Sequence, residues 1–150
     1  MQKKGFTLIE LLVVIAIIAI LAGIVIIAVN PTRQIGQARD AQRRADTLTI
    51  LNAIHQYFVD NGNFPAGIDD KYRQLGTSGT DCNDSCGDWT LETSCLNLSS
   101  VLTPTYISSI PKDPQGTEAK TGYALVKDAN NRITVRACKA EITTPIQVTR

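Results

Sequence analysis

Lys3-Lys4-Gly5-Phe6-Thr7-Leu8-Ile9-Glu10, leading into LLVVIAIIAILAGIVIIAV over residues 11–29, decides how this chain is organised. The second stretch contains no charged or polar side chain. At about 1.5 Å rise per residue, a helix of that length crosses most of a ~30 Å hydrocarbon core. Glu10 is the anomaly. A carboxylate inside a membrane helix costs at least ~2–3 kcal/mol near the bilayer centre, so it needs a partner or a task. A secretory signal peptide also places basic residues before an apolar run, but its core is only about 7–15 residues long and ends at a small-residue cleavage site. Here the run is longer and leads into Val29-Asn30-Pro31-Thr32-Arg33. A plain single-span anchor needs only length and flanking charge. Neither reading accounts for Glu10 or for the Gly5-Phe6 junction.

The Gly-Phe-Thr-Leu-Ile-Glu-Leu run behind two lysines resembles the type III signal of type IV pilins and of the pseudopilins of type II secretion systems. The resemblance implies a leader, residues 1–5, that a prepilin peptidase removes by cutting between Gly5 and Phe6. It further implies N-methylation of Phe6 and a part for Glu10 in subunit assembly. The positive-inside rule places Lys3 and Lys4 in the cytoplasm, so everything after Val29 lies on the far side. Arg33, Arg39, Arg43 and Arg44 come after the span on that far side and weigh against this orientation, which the leader nevertheless requires.

Beyond the membrane segment about 120 residues remain (150 less 29), enough for one small core. The formal charge is +1; without the two leader lysines, 13 basic residues (15 less 2) face 14 acidic ones, giving −1. That near-neutral balance gives no sign of a dedicated nucleic-acid partner. Cys82, Cys86, Cys95 and Cys138 all lie in the exported part, where an even count reads as two disulfides. A four-thiolate zinc site is the alternative, but Cys138 has no close partner in sequence. Four cysteines allow three pairings, among which sequence does not choose. The working expectation is Cys82–Cys86 within one loop and Cys95–Cys138 tying that loop to the late strands.

The expected organisation is a transmembrane and assembly helix over 6–29, an amphipathic half over 30–60 and a globular head over 61–150. Pro31 predicts a kink or break near residues 28–32. From Ile35 to Phe58, Ile35, Ala38, Ala41, Ala45, Leu48, Leu51, Ile54 and Phe58 recur at spacings of three and four and define an apolar stripe. Asp40, Arg43 and Thr47 fall mostly off it. The thin, alanine-rich half is expected to face neighbouring helices and Leu48 to Phe58 to seat the head. Gly62 and Pro65 stop the helix.

Residues 66–96 read as disulfide-pinned loop, with at most a short element near Trp89-Thr90-Leu91, and 97–102 as a helical turn. Residues 122–127 and 132–138 form a hairpin around Asp128-Ala129-Asn130-Asn131, and Ile133, Val135 and Ala137 alternate with Arg132, Thr134 and Arg136 to give one buried and one wet face. A last strand near 142–148 is interrupted by Pro145. The fold class is therefore α+β: a long N-terminal helix on a small antiparallel sheet. The later residues carry the same resemblance more thinly. Tyr57 and Gly62-Asn63-Phe64-Pro65 are similar to the helix ending of pseudopilins and many pilins. Pro111-Lys112-Asp113-Pro114, with Gly116 and Gly122-Tyr123, is similar to the approach to the sheet in major pseudopilins. Residues 76–96 have no counterpart.

Catalytic signatures are missing: no phosphate-cradling glycine loop, no HExxH, no G-x-S-x-G, and one histidine, His55, to which no chemistry is assigned. The chain is expected to be a substrate of processing and not an enzyme, with no cofactor. Major pseudopilins bind calcium in their late loops, which makes Asp113 and Asp128 calcium candidates. Their spacing matches no calcium loop, and a turn already accounts for Asp128 to Asn131. Asn83-Asp84-Ser85 and Asn97-Leu98-Ser99 fit the N-glycosylation sequon.

The resemblance implies a type IV pilin, polymerised through its N-terminal helices by the inner-membrane assembly machinery. It would be held by membrane lipid as a single-pass protein beforehand and displayed in a cell-surface filament serving adhesion, motility or DNA uptake. A major pseudopilin is the alternative, favoured by the Asp113-Pro114 region; the cysteine-rich insert and the lack of a recognisable calcium loop favour the pilin. A non-polymerising, membrane-anchored extracytoplasmic binding domain is the third reading.

Overall fold

The computed structural model describes residues 5–150 and divides into two compact units that meet between Ile35 and Gly36. Lys3 and Lys4, on which the expected cytoplasmic orientation rests, lie outside the described residues. In the first unit, helix α1 runs Leu8–Ala28 with none of its residues buried. Helix α2 is Pro31–Asn61 and begins in this unit. The expected interruption is confined to Val29 and Asn30. Pro31 takes the first helical position, where its missing N–H has no intrahelical role, and the Asn30 side chain accepts from the Arg33 N–H at 3.2 Å.

The second unit holds α2 from Gly36 onward and a four-stranded antiparallel sheet of order β1-β2-β3-β4, with β1 Arg73–Gln74, β2 Tyr123–Lys127, β3 Ile133–Ala137 and β4 Ile146–Thr149. A one-turn helix α3, Ser99–Leu102, fills the position expected for it. Helix α2 stops where Gly62 takes φ 72°, a left-handed conformation that costs other residues more, and its N–H caps the Phe58 carbonyl at 2.8 Å. The core joins Ile50, Leu51 and Ile54 of α2 to Leu75, Leu98, Leu102 and the inward side chains Tyr123, Leu125, Ile133 and Val135 of the sheet. Each fully buried Leu or Ile contributes about 1.5–3 kcal/mol relative to exposure.

Four expectations are corrected. The buried face of α2 is Gly36, Asp40, Arg43, Thr47, Ile50, Leu51, Ala53 and Ile54, of which only Leu51 and Ile54 belong to the predicted stripe. Leu48 and Phe58, expected to seat the head, are exposed. The helix is rotated because Asp40 and Arg43 are buried as an ion pair, and apolar spacing does not register such a pair. Second, the segment read as loop contributes β1, whose Arg73 and Gln74 pair with Leu125 and Ala124, while Trp89 forms only an isolated bridge with Cys86. Third, Pro145 precedes β4 and does not interrupt it.

Fourth, the disulfides are Cys82–Cys95 and Cys86–Cys138, neither of them an expected pair. The loop doubles back, with Cys82 N–H donating to the Thr93 carbonyl at 2.9 Å and Cys95 N–H to the Ser78 carbonyl at 3.1 Å, which lays Cys95 beside Cys82. Cys86 is thereby left to the end of β3. The same loop covers the sheet face predicted to be wet: Cys86, Leu91 and Ala124 form a second small core with Trp89 and Cys138 packed on it. The Arg136 guanidinium lies 4.2 Å from the Trp89 ring centroid and is paired with Asp88.

Candidate functional site

The residues that the N-terminal signal singles out lie together in the first unit. Gly5 and Phe6 precede α1 without regular structure, and Phe6 is 84% exposed, so the peptide bond between them is open to an enzyme. Thr7 is the N-cap of α1. The Glu10 carboxylate accepts from the Thr7 N–H at 2.8 Å and from its hydroxyl at 2.7 Å, and the Glu10 N–H donates back to that hydroxyl at 3.3 Å. This reciprocal capping box satisfies donors that a helix start otherwise leaves open, with the carboxylate at the positive end of the helix dipole. Glu10 thus has a partner within its own chain. Reasoning on hydropathy missed Thr7, although T-x-x-E ahead of an apolar run is a legible cap signal.

Beyond Glu10 the helix is a rod of aliphatic side chains, each of the large ones between Leu11 and Ile27 about half exposed or more. A surface of this kind is stable only against lipid or other apolar helices. The span is long and apolar enough to cross a membrane.

In the second unit a buried charged cluster fixes α2 to the head. Arg43, fully buried, donates from Nε and Nη2 to the two oxygens of Asp113 at 2.6 and 3.1 Å, and from Nη1 to Asp40 at 2.9 Å and Glu141 at 3.1 Å. Asp40 also accepts the backbone N–H groups of Glu141, Ile142 and Thr143 at 3.0, 2.8 and 2.9 Å. Burial alone would raise the Asp40 pKa; those three N–H groups and Arg43 outweigh it and hold the carboxyl well below its ordinary value. Asp113, foremost, raises the Arg43 pKa against the effect of burial. Nearby, burial and the bond from its hydroxyl to Asp46 at 2.7 Å push Tyr123 up. None of Asp40, Arg43 and Glu141 was singled out by sequence reasoning. The available signal was their spacing: Gly36, Asp40, Arg43 and Thr47 continue the face of Ile50 and Ile54.

The calcium candidates are otherwise engaged. Both Asp113 oxygens hold Arg43, and Oδ1 also accepts the Gln115 N–H at 2.8 Å. Asp128 closes the hairpin turn, accepting from Arg132 N–H, Asn130 N–H and Arg132 Nε at 2.9, 2.8 and 2.8 Å. Among the described residues no group of three His, Cys, Asp or Glu side chains is placed to hold a metal.

Residues 1–26 match the family model described as the prokaryotic N-terminal methylation motif. That motif is the signature of prepilin-like proteins, type IV pilins and pseudopilins together, and with the apolar helix behind it supports membrane anchoring before assembly. No curated protein and no solved structure matches the chain.

Proposed function

We propose that this protein is a structural, non-catalytic subunit of a type IV pilus. A prepilin peptidase cuts between Gly5 and Phe6, Phe6 is N-methylated, and α1 holds the subunit in the membrane until the inner-membrane machinery packs many copies into a filament. The observation that carries this reading is α1 itself: 21 residues with none buried, headed by the methylation motif. Helices of other copies supply the apolar surroundings that lipid supplied before. Glu10 gives the register. Its carboxylate can exchange the Thr7 bonds for the positive amine of Phe6 on a neighbouring subunit, a pairing strong in low dielectric although largely offset by the desolvation of both charges.

A major pseudopilin of a type II secretion system is the second reading, favoured by the Pro111-Lys112-Asp113-Pro114 approach to the sheet. Mass spectrometry of filaments sheared from the host cell surface tests the choice. Recovery there of a chain starting at methylated Phe6 supports the pilin. The same mature chain found only in the membrane fraction moves the assignment to the pseudopilin, and an intact leader refutes both in favour of a plain anchor.

A further inference from the structure

Two segments of the head carry the Asn-x-Ser sequon, and the fold treats them differently. Asn83-Asp84-Ser85 lies in a stretch without helix or strand, between Cys82, crosslinked to Cys95, and Cys86, crosslinked to Cys138. Asn83 and Ser85 are exposed, and the N–H groups of Asn83, Asp84 and Ser85 donate to no backbone carbonyl among the described residues. The backbone is fixed beside them, by Cys82 N–H on Thr93 and Lys120 Nζ on the Asp81 carbonyl at 2.7 Å, and within the segment the one tie among the described residues is the part-exposed pair of Lys120 Nζ with the Asp84 carboxylate at 3.2 Å. Asn97-Leu98-Ser99 is built into the core. Leu98 is 2% exposed, the Asn97 side chain accepts the Ser99 N–H at 3.0 Å, and the carbonyls of Leu98 and Ser99 hold the first turn of α3.

We propose that Asn83 is an N-glycosylation acceptor and that Asn97 is not. The inference rests on the pilin reading proposed above, in which the head lies outside the cytoplasm. The co-substrate class is an oligosaccharide joined through pyrophosphate to a polyprenyl lipid. The Asn83 side-chain nitrogen attacks the anomeric carbon and forms the C–N bond. The bond from that carbon to the pyrophosphate oxygen breaks, the lipid pyrophosphate leaves with the electron pair, and the amide proton passes to a base of the transferase. A transferase must draw the acceptor and the hydroxyl two residues later into its cleft together. Residues 83–85 can be lifted without breaking backbone bonds, whereas drawing in 97–99 would extract Leu98 from the core and dismantle α3. Asp81, exposed and two positions before the acceptor, adds a carboxylate for a basic cleft to engage.

The test is intact-mass and glycopeptide spectrometry of the mature chain from its native host, alongside Asn83→Gln, Asn97→Gln, Ser85→Ala and Ser85→Thr variants. The expected result is a glycan on the peptide containing Asn83, lost in Asn83→Gln and Ser85→Ala and kept in Ser85→Thr and Asn97→Gln. A mature chain starting at Phe6 with bare Asn83 overturns the proposal while leaving the pilin reading intact. Sugar on Asn97, or occupancy that ignores Ser85, overturns it equally.

Discussion

Replacing Asp113 with leucine should destabilise the head more than any comparable surface change. The substitution removes both bonds from Arg43, at 2.6 and 3.1 Å, and leaves a guanidinium with no exposure facing one remaining buried carboxylate, Asp40, and one part-exposed one, Glu141. Breaking a buried pair by removing one partner costs about 3–5 kcal/mol, and the two surviving carboxylates place this case near the lower end, at about 3 kcal/mol. For a unit of this size that is a fall in Tm on the order of 12 °C. The assay is urea and thermal unfolding of the full chain in detergent, followed through the fluorescence of Trp89, the sole tryptophan. Arg43→Met alone should be comparably damaging, because Asp113 is then the unpaired charge. The double variant, with both charges gone, should be less destabilised than the two single losses added together. High salt should alter the wild-type value little, since the pair is shielded from solvent. A single-variant loss below about 1 kcal/mol, or strict additivity in the double, would refute the account of the cluster as a coupled buried unit.

Acid should loosen the same cluster. Asp40 has a folded pKa below its unfolded value, so its contribution is complete above about pH 4 and is lost as pH falls toward the folded value. Urea midpoints measured from neutral pH down to pH 2 should therefore decline at the acid end, and Asp40→Asn should flatten that decline; an unchanged slope counts against it. Removing Cys86–Cys138, with a separation of 52, should cost about 4 kcal/mol, and removing Cys82–Cys95, with a separation of 13, about 3 kcal/mol, by loop-closure entropy. Paired serine variants in reversible unfolding would rank them, and the opposite order would sink the entropic explanation. Glu10→Ala should leave export and cleavage of the leader intact and lower filament yield severalfold; normal filament numbers would remove Glu10 from assembly.

Much of this organisation is legible in the residues because the physics behind it is local. An unbroken aliphatic run, a proline at a helix start, a glycine at a helix end and alternation about a tight turn each act within a few positions. The misread elements depend on distant partners. Asp40 and Arg43 look like solvent-side residues until Asp113 and the 141–143 backbone arrive to satisfy them. Arg136 alternates as a wet residue, yet the cysteine loop folds over it and leaves it 8% exposed. Strand β1 is two residues long and draws its order from pairing with Leu125 and Ala124, not from its own composition. The disulfide partners are set by how the loop doubles back, which spacing along the chain does not encode. At the N-terminus the capping signal of Thr7 and Glu10 is present but overshadowed by the cost of a carboxylate beside lipid.

The Asp40 and Arg43 attachments also determine how the head bears mechanical load. Tension applied along α2 enters a rod whose side chains grip the segment after β3 and the loop before β2, about 100 and about 70 residues further along the chain. Force therefore crosses directly from helix to sheet. The stretch between Gly62 and Lys112, with its exposed loop, lies outside that path. Each grip holds through several hydrogen bonds, Arg43 on both oxygens of Asp113 and Asp40 on three backbone N–H groups, so the load on it is shared. A head built in this way can be tugged by its helix without its exposed loops being drawn straight.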